Sequence, residues 1–523
     1  MDMLKNYKIK ILLFVLFSFF YILSLLFNNI LPFSDSPNHI AEAFLFNELN
    51  KVNDSILKEY YELNIHYYTP NILHTLLTSF FINVETGNQF FYIFYLVMFF
   101  AFSYLIVKII DGEIIYLFFV FLLAFNFNVF WGFSGFALGI GLILLFLLVL
   151  IKYLKTNNTI LLILLSIISI TSYYSNVQIF LFIIEIIFLT AAFTGESPLK
   201  IRAKLIFIIL PALILLIIWI KNSHSFSSDE STLSFLLNYF RSEYLSSIPK
   251  RLYRLFWLEN FRLFDYPFGR IAAMAFIAPI ILLFIKFLFE RLSSKNFNQL
   301  INKINFFIKP AELPQKVIMI FFIASAFNYL ILPNRLPGQS FLFERFSVFF
   351  LLGIIFILSF NYKIKSVLMN LFIVALTFLH LVLWTNYLLE FKSDVQSFEK
   401  ILKGKKELFQ KKLGYIVDYN NFRGFGVYNN FLNYHIIWNY GITPTEITNY
   451  RFRIVELKKE LPYKSVVTDS LEINTLRDWL SDNEKMDFIL CFNKNISDRI
   501  QELNEWKVAD VANNWYLLKK KQI

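Results

Sequence analysis

Long apolar runs separated by short polar breaks dominate this chain. Runs of spanning length fall near residues 9–29, 89–109, 113–131, 135–153, 159–175, 177–194, 203–220, 271–289, 316–333, 345–361 and 366–387. Each is close to the roughly 20 residues that cross a hydrocarbon core. The break inside 159–194 is the slightest, made only by Tyr173, Tyr174, Ser175, Asn176 and Gln178. A shorter stretch, 71–83, suits a helix at the interface that does not cross. From about Glu390 the pattern changes. Short β-rich pieces at 415–418, 465–469, 487–492, 506–511 and 515–520 alternate with helical periodicity at 472–483 and 496–506, which predicts a small α/β domain.

Composition agrees with the runs. Of 523 residues 57% are hydrophobic and 19% aromatic, with 65 Phe and a mean hydropathy of +0.56. A soluble core has no use for so much apolar surface. The first run is too long for a signal-peptide core and lacks a small-x-small cleavage site, so it reads as a retained helix. The single cysteine, Cys491, excludes an internal disulfide framework and a multi-cysteine metal site.

Charge sets the expected orientation. The net charge of +11 would suit nucleic acid, but in a membrane protein Lys and Arg collect beside spans on the cytoplasmic side. With the N-terminus inside, the inner connections hold Lys5, Lys8, Lys10, Lys108, Lys152, Lys155, Lys200, Arg202, Lys204, Lys363 and Lys365. The first outer loop is acidic, with Asp35, Glu42, Glu48, Asp54, Glu59, Glu62 and Glu85. The expected fold is an α-helical polytopic membrane protein of about eleven transmembrane helices. Residues 1–389 form the membrane part, with outside loops 30–88, 222–270 and 333–344, and 390–523 form an extracytoplasmic α/β domain. No nucleotide-binding loop or nucleic-acid signature is present.

The chemistry-bearing residues gather on the outer side. In "SDSPNHIAE" (34–42), Pro37 suits a first helical position and leaves Asp35 at the helix entrance. His39 and Glu42, three apart, share one face beneath it. Asp35 either caps the helix and complements its dipole or serves as a general base with His39 and Glu42 beside it. Arg335 and Arg345 stand at a span entrance, and Arg251, Arg254 and Arg270 in the 222–270 loop. A guanidinium there either anchors its helix by snorkelling or binds phosphate through paired donors. Arg262, with Glu259 and Asp265 at helical reach, reads as structural. His66 and His74 form no compact ligand signature with His39 and Glu42, so no metal or other cofactor is assigned. His380 lies within the last span, where a neighbour satisfies it.

Four stretches, "SDSPNHIAE" (34–42), "YYTPNILHTLL" (67–77), "FWGFSGFALGIGL" (130–142) and "NYHIIWNYG" (433–441), together with the layout of the chain, resemble the GT-C superfamily of integral-membrane glycosyltransferases. The likeness is distant, to the protein-mannosyltransferase and aminoarabinose-transferase type. It implies an inverting enzyme that moves a sugar from a polyprenyl-phosphate-linked donor to a glycan, lipid or protein acceptor. It also implies Asp35 as base, outer arginines on the donor phosphate, and His435 as an acceptor-side residue. A bacterial inner membrane is the expected site. Two other readings stay open: an O-antigen ligase or polymerase, which the arginines of 222–270 favour, and a transporter or flippase of lipid-linked sugars.

Overall fold

The computed structural model describes all residues except 1–5, 52–54, 194–198, 223–231, 266, 293–311, 337–338, 419–420, 444–453, 459–465, 469–479, 481–485, 503–504 and 522–523. The first five helices in chain order are α1 (Tyr7–Ser24), α2 (Ser36–Leu49), α3 (Leu57–Tyr60), α4 (Leu73–Ser79) and α5 (Val84–Ile109). Eight helical segments among the described residues are long and apolar enough to cross a membrane: Tyr7–Phe27, Val84–Ile109, Ser134–Thr156, Lys204–Asn222, Phe268–Glu290, Leu313–Ile331, Glu344–Asn361 and Val367–Leu402. Thr159–Ser175 and Val177–Phe193 are apolar but shorter. The chain is thus a membrane-type helical protein with a small C-terminal sheet. It divides into two compact units, one of Met1–Ser24, Tyr92–Val129 and Gly135–Trp384, the other of Leu25–Phe91, Phe130–Ser134 and Thr385–Ile523.

In the first unit most expected spans appear within a turn of their sequence limits. Asn158 accepts from the Ile160 N–H at 2.8 Å and starts one of the shorter helices. Asn176, in extended backbone, ends that helix and accepts from the Gln178 N–H at 2.9 Å to start the next. One side chain thus makes the slight break visible in the sequence.

The run at 113–131 is a correction. It is not one helix but a 3-10 turn (Ile114–Tyr116) and two short helices (Leu117–Phe121 and Phe127–Trp131). The Asn126 amide donates to the Tyr95 hydroxyl at 2.9 Å and to the Leu123 carbonyl at 3.1 Å. Its oxygen takes the Asn128 N–H at 3.0 Å. Ile114 to Phe125 are all buried. Irregular backbone survives at membrane depth only where protein surrounds it, and hydropathy cannot distinguish a wall of protein from a wall of lipid.

In the second unit a five-stranded mixed sheet forms from β4 (Leu413–Asp418), β6 (Val466–Thr468), β7 (Phe488–Phe492), β8 (Trp506–Ala512) and β9 (Trp515–Lys520). Its order is β6-β4-β7-β9-β8. Strand β4 runs parallel to β6 and β7, while β9 is antiparallel to β7 and β8. Ile416, Ile489, Cys491, Ile500, Trp506 and Leu518 make its core. The helix expected at 496–506 runs Lys494–Glu502, and the one expected at 472–483 lies, Leu480 apart, outside the described residues. The same unit takes in the first loop. Strand β1 (Tyr61–Leu63) pairs antiparallel with β5 (Val455–Leu457), and Ala41, Leu45, Leu57 and Tyr61 pack on Ile436 and Val455.

Candidate functional site

Asp35 occupies the N-cap position of α2, with Pro37 in the first turn, as the local pattern predicts. Its side chain makes no capping hydrogen bond. The carboxylate instead accepts from the Asn430 amide at 3.1 Å, and the same amide donates to the Ser34 carbonyl at 3.0 Å. The Asp35 backbone is fixed from below: its N–H donates to the Trp131 carbonyl at 2.9 Å, and that of Ser34 to Phe130 at 3.2 Å. Behind this ladder Gly132 has φ +77°, and a Cβ there would stand 2.7 Å from the backbone nitrogens of Asp35 and Ser36.

His39 and Glu42 meet as the spacing requires, with Nδ1 3.4 Å from Oε2. Burial pulls the His39 pKa down, but the bonded Glu42 carboxylate, its charge and that of Asp35 outweigh this and hold it above 6.5. His74 comes up from α4 with its ring centroid 5.2 Å from that of His39. It is buried, and burial together with the charge of His39 lowers it to about 3. Since the Asn88 amide donates to the Ser36 hydroxyl at 2.9 Å, its oxygen must take the His74 Nε2–H at 3.0 Å, which fixes the neutral tautomer. Asp35, His39 and Glu42 are therefore brought together, one half-buried carboxylate beside a hydrogen-bonded imidazole–carboxylate pair. Local sequence did not point to Asn88, Asn430 or Gly132 as partners, nor to Asn433, whose amide bonds Asn38.

His435 is placed differently from an acceptor-facing residue. It is fully buried, with Nε2 on the Lys411 carbonyl at 3.0 Å and Nδ1 on the Asn439 amide at 3.1 Å. Burial lowers it to about 4. One nitrogen is used within its own helix and the other on the segment that leads into β4. His66 stacks on Tyr68, and among the described residues no group of three or more His, Cys, Asp or Glu is arranged to hold a metal ion.

The candidate arginines belong to the first unit. Arg251 is buried, donating to the Tyr329 and Leu330 carbonyls at 3.0 and 3.1 Å and lying 4.1 Å from the Phe343 ring centroid. Arg254 pairs with the buried Glu344 at 2.6 Å. Arg345 donates to Gln178 at 3.2 Å and to the Ser340 carbonyl at 3.3 Å, and Arg270 lies over Trp257 at 4.6 Å. Arg335 is exposed on a hairpin of β2 (Arg335–Leu336) and β3 (Gln339–Ser340). Arg262 is buried. Glu259, however, is held by the Ser347 hydroxyl and the Phe127 N–H, and burial raises it to about 7. His380 lies between the Tyr21 hydroxyl and Asn260, 2.6 Å from each.

The histidines carry a pH signature. For His74 the folded value of about 3 lies below the ordinary 6.5, so the unfolded chain binds the proton first and stability falls as pH drops through that window. His39 works the other way: its contribution is complete below 6.5 and is lost as pH rises through its raised value. Glu259, raised to about 7, also loses stability as pH rises and would mask a single melt. The difference between the native protein and His74→Gln isolates one group. Thermal melts should show the native protein losing, between pH 6.5 and 4, on the order of a few kcal/mol relative to the variant, at about 1.4 kcal/mol per unit. Parallel pH profiles would refute the neutral, buried assignment. Comparison with protein-family models and with curated proteins finds no match for this chain.

Proposed function

We propose that this chain is an integral-membrane glycosyltransferase of the GT-C type, using a sugar on a polyprenyl phosphate at the extracytoplasmic face of a bacterial inner membrane, with the N-terminus cytoplasmic. The observation that carries the reading is the Asp35 carboxylate. It sits at a helix entrance without capping it, held by an amide and flanked by His39 and Glu42. A carboxylate so placed can take the acceptor hydroxyl proton as that oxygen attacks the anomeric carbon. The bond from that carbon to the phosphate oxygen breaks, and the pair of electrons leaves with the lipid phosphate. Attack opposite the leaving group inverts the centre. Positive groups must steady the departing phosphate. The resemblance assigns that role to the outer arginines, Arg335 and Arg345 before Arg251, Arg254 and Arg270.

Connectivity supports a count of eleven crossings. The Asp35 N–H bonds the Trp131 carbonyl, so both residues lie on one membrane face. Between them α5 has crossing length, and the chain must therefore return between about residue 110 and residue 130. On this reading the broken, buried pieces from Ile114 to Trp131 are a crossing wrapped in protein.

The test is transfer itself. Membranes containing the native protein, supplied with polyprenyl-phosphate-linked sugars, should release the lipid phosphate and label an extracytoplasmic acceptor. If no such lipid is consumed while lipid-linked sugar still changes leaflet, the transporter reading replaces this one.

A further inference from the structure

The turn joining α4 to α5 exposes what a water-facing turn would hide. Phe80 is 82% exposed and Ile82 fully so, while Phe81 between them stacks on Phe90 of α5 at 5.3 Å and 16°. Phe90 belongs to the outward stripe of α5, which continues through Phe94, Val97 and Leu105. The apolar surface of the turn is thus continuous with the lipid-facing side of a helix of crossing length.

The level of α4 can be read off α5. Residues 84–89 (VETGNQ) are largely polar, and an apolar run of eighteen residues, 90–107, follows. At 1.5 Å per residue that run covers about 27 Å, close to the roughly 30 Å of a hydrocarbon core. Hydrocarbon therefore begins near Phe90. The Thr78 carbonyl lies where a Cβ on Gly87 would be, 2.6 Å away, and His74 bonds Asn88 at 3.0 Å. The His74 ring reaches along α4 to the Thr78 hydroxyl, 3.4 Å from its Nε2, so both contacts come from the C-terminal turn of α4. The C-terminal turn of α4 consequently meets α5 within one turn of Phe90, beside the start of the hydrocarbon. Asn47 of α2 donates to the Ser79 carbonyl at 2.9 Å, and Asn83 caps α5 through the N–H groups of Glu85 and Thr86, so the arrangement is pinned on three sides.

We infer that α4 and the Phe80–Ile82 turn form a shelf inserted in the bilayer, with Phe80 and Ile82 among the upper acyl chains. Side chains of this kind drive helices that lie in the interface. The shelf sets the depth of the site, because His74 on α4 faces His39. The Asp35–His39–Glu42 group then stands at headgroup level, where a lipid-borne phosphate travels. The insertion holds whether or not the chain transfers sugar, so its test does not depend on activity.

The sole cysteine, Cys491, is buried and its thiol pKa is raised by burial, so an added surface cysteine labels selectively. Nitroxides at Phe80→Cys and at Ile82→Cys, in phosphatidylcholine–phosphatidylglycerol nanodiscs, should collide readily with oxygen and poorly with a water-soluble nickel chelate. They should match a label at Phe94→Cys and oppose one at Val511→Cys on β8. Nickel access equal to that at position 511 would overturn the shelf. Exclusion of both reagents would also overturn it, assigning the surface to a protein partner or a second copy.

Discussion

Asp35→Asn should lower sugar transfer about a hundredfold or more, the scale of a removed general base, and leave the melting temperature unchanged. The backbone bonds to Trp131 and from Asn38 survive the change, and the new carboxamide oxygen can still accept from Asn430. What disappears is an acceptor for the proton. A second consequence separates this from an accidental loss. Asp35 is one of the charges that raise His39, so the His39 titration, followed by NMR of the labelled imidazole, should move down in the variant. Undiminished transfer with matched expression would reduce Asp35 to an architectural residue and shift the base to Glu42. Lost transfer with a lower melting temperature would mean that the carboxylate holds the fold and does not act on substrate.

What the sequence could show followed distance along the chain. The start of α2 was legible because its signals, Ser36 and Pro37 after a polar pair, lie within a few residues of each other. The meeting of His39 and Glu42 needed only helical spacing. The alternating β-rich pieces near the C-terminus located β4, β7, β8 and β9 for the same reason. Asn430, which holds the Asp35 carboxylate, lies 395 residues away, and no local pattern could announce it. The fragmentation of 113–131 had a weak signal in Asn126 and Asn128, two amides inside an apolar run, which a hydropathy average erases. The glycines of 132–141 look alike in sequence as helix-packing residues. Gly135, Gly139 and Gly141 do face neighbouring helices at close range, whereas Gly132 faces the backbone that carries Asp35. Arg254, which the sequence offers as a phosphate binder or a snorkelling anchor, pairs with Glu344, 90 residues off and beyond any local pattern.

Gly132→Ala should cost both stability and transfer. An alanine held at φ +77° costs about 1–2 kcal/mol. In addition, its methyl would press on two backbone nitrogens at 2.7 Å, atoms that cannot rotate away as a side chain could. Either residues 130–132 retreat, breaking the bonds to Ser34 and Asp35, or the first turn of α2 moves and takes the carboxylate with it. A misplacement of about 1 Å in a reacting group is enough for a loss near a hundredfold. Gly404 supplies the control. It has φ +69° with nothing within 4 Å of its would-be Cβ, so Gly404→Ala carries the conformational cost without the collision. The expected pattern is a comparable fall in melting temperature for Gly404→Ala with transfer intact, against a larger fall and lost transfer for Gly132→Ala. If the two variants behave alike, the ladder from 130–132 does not position Asp35, and the base must be held by Asn430 alone.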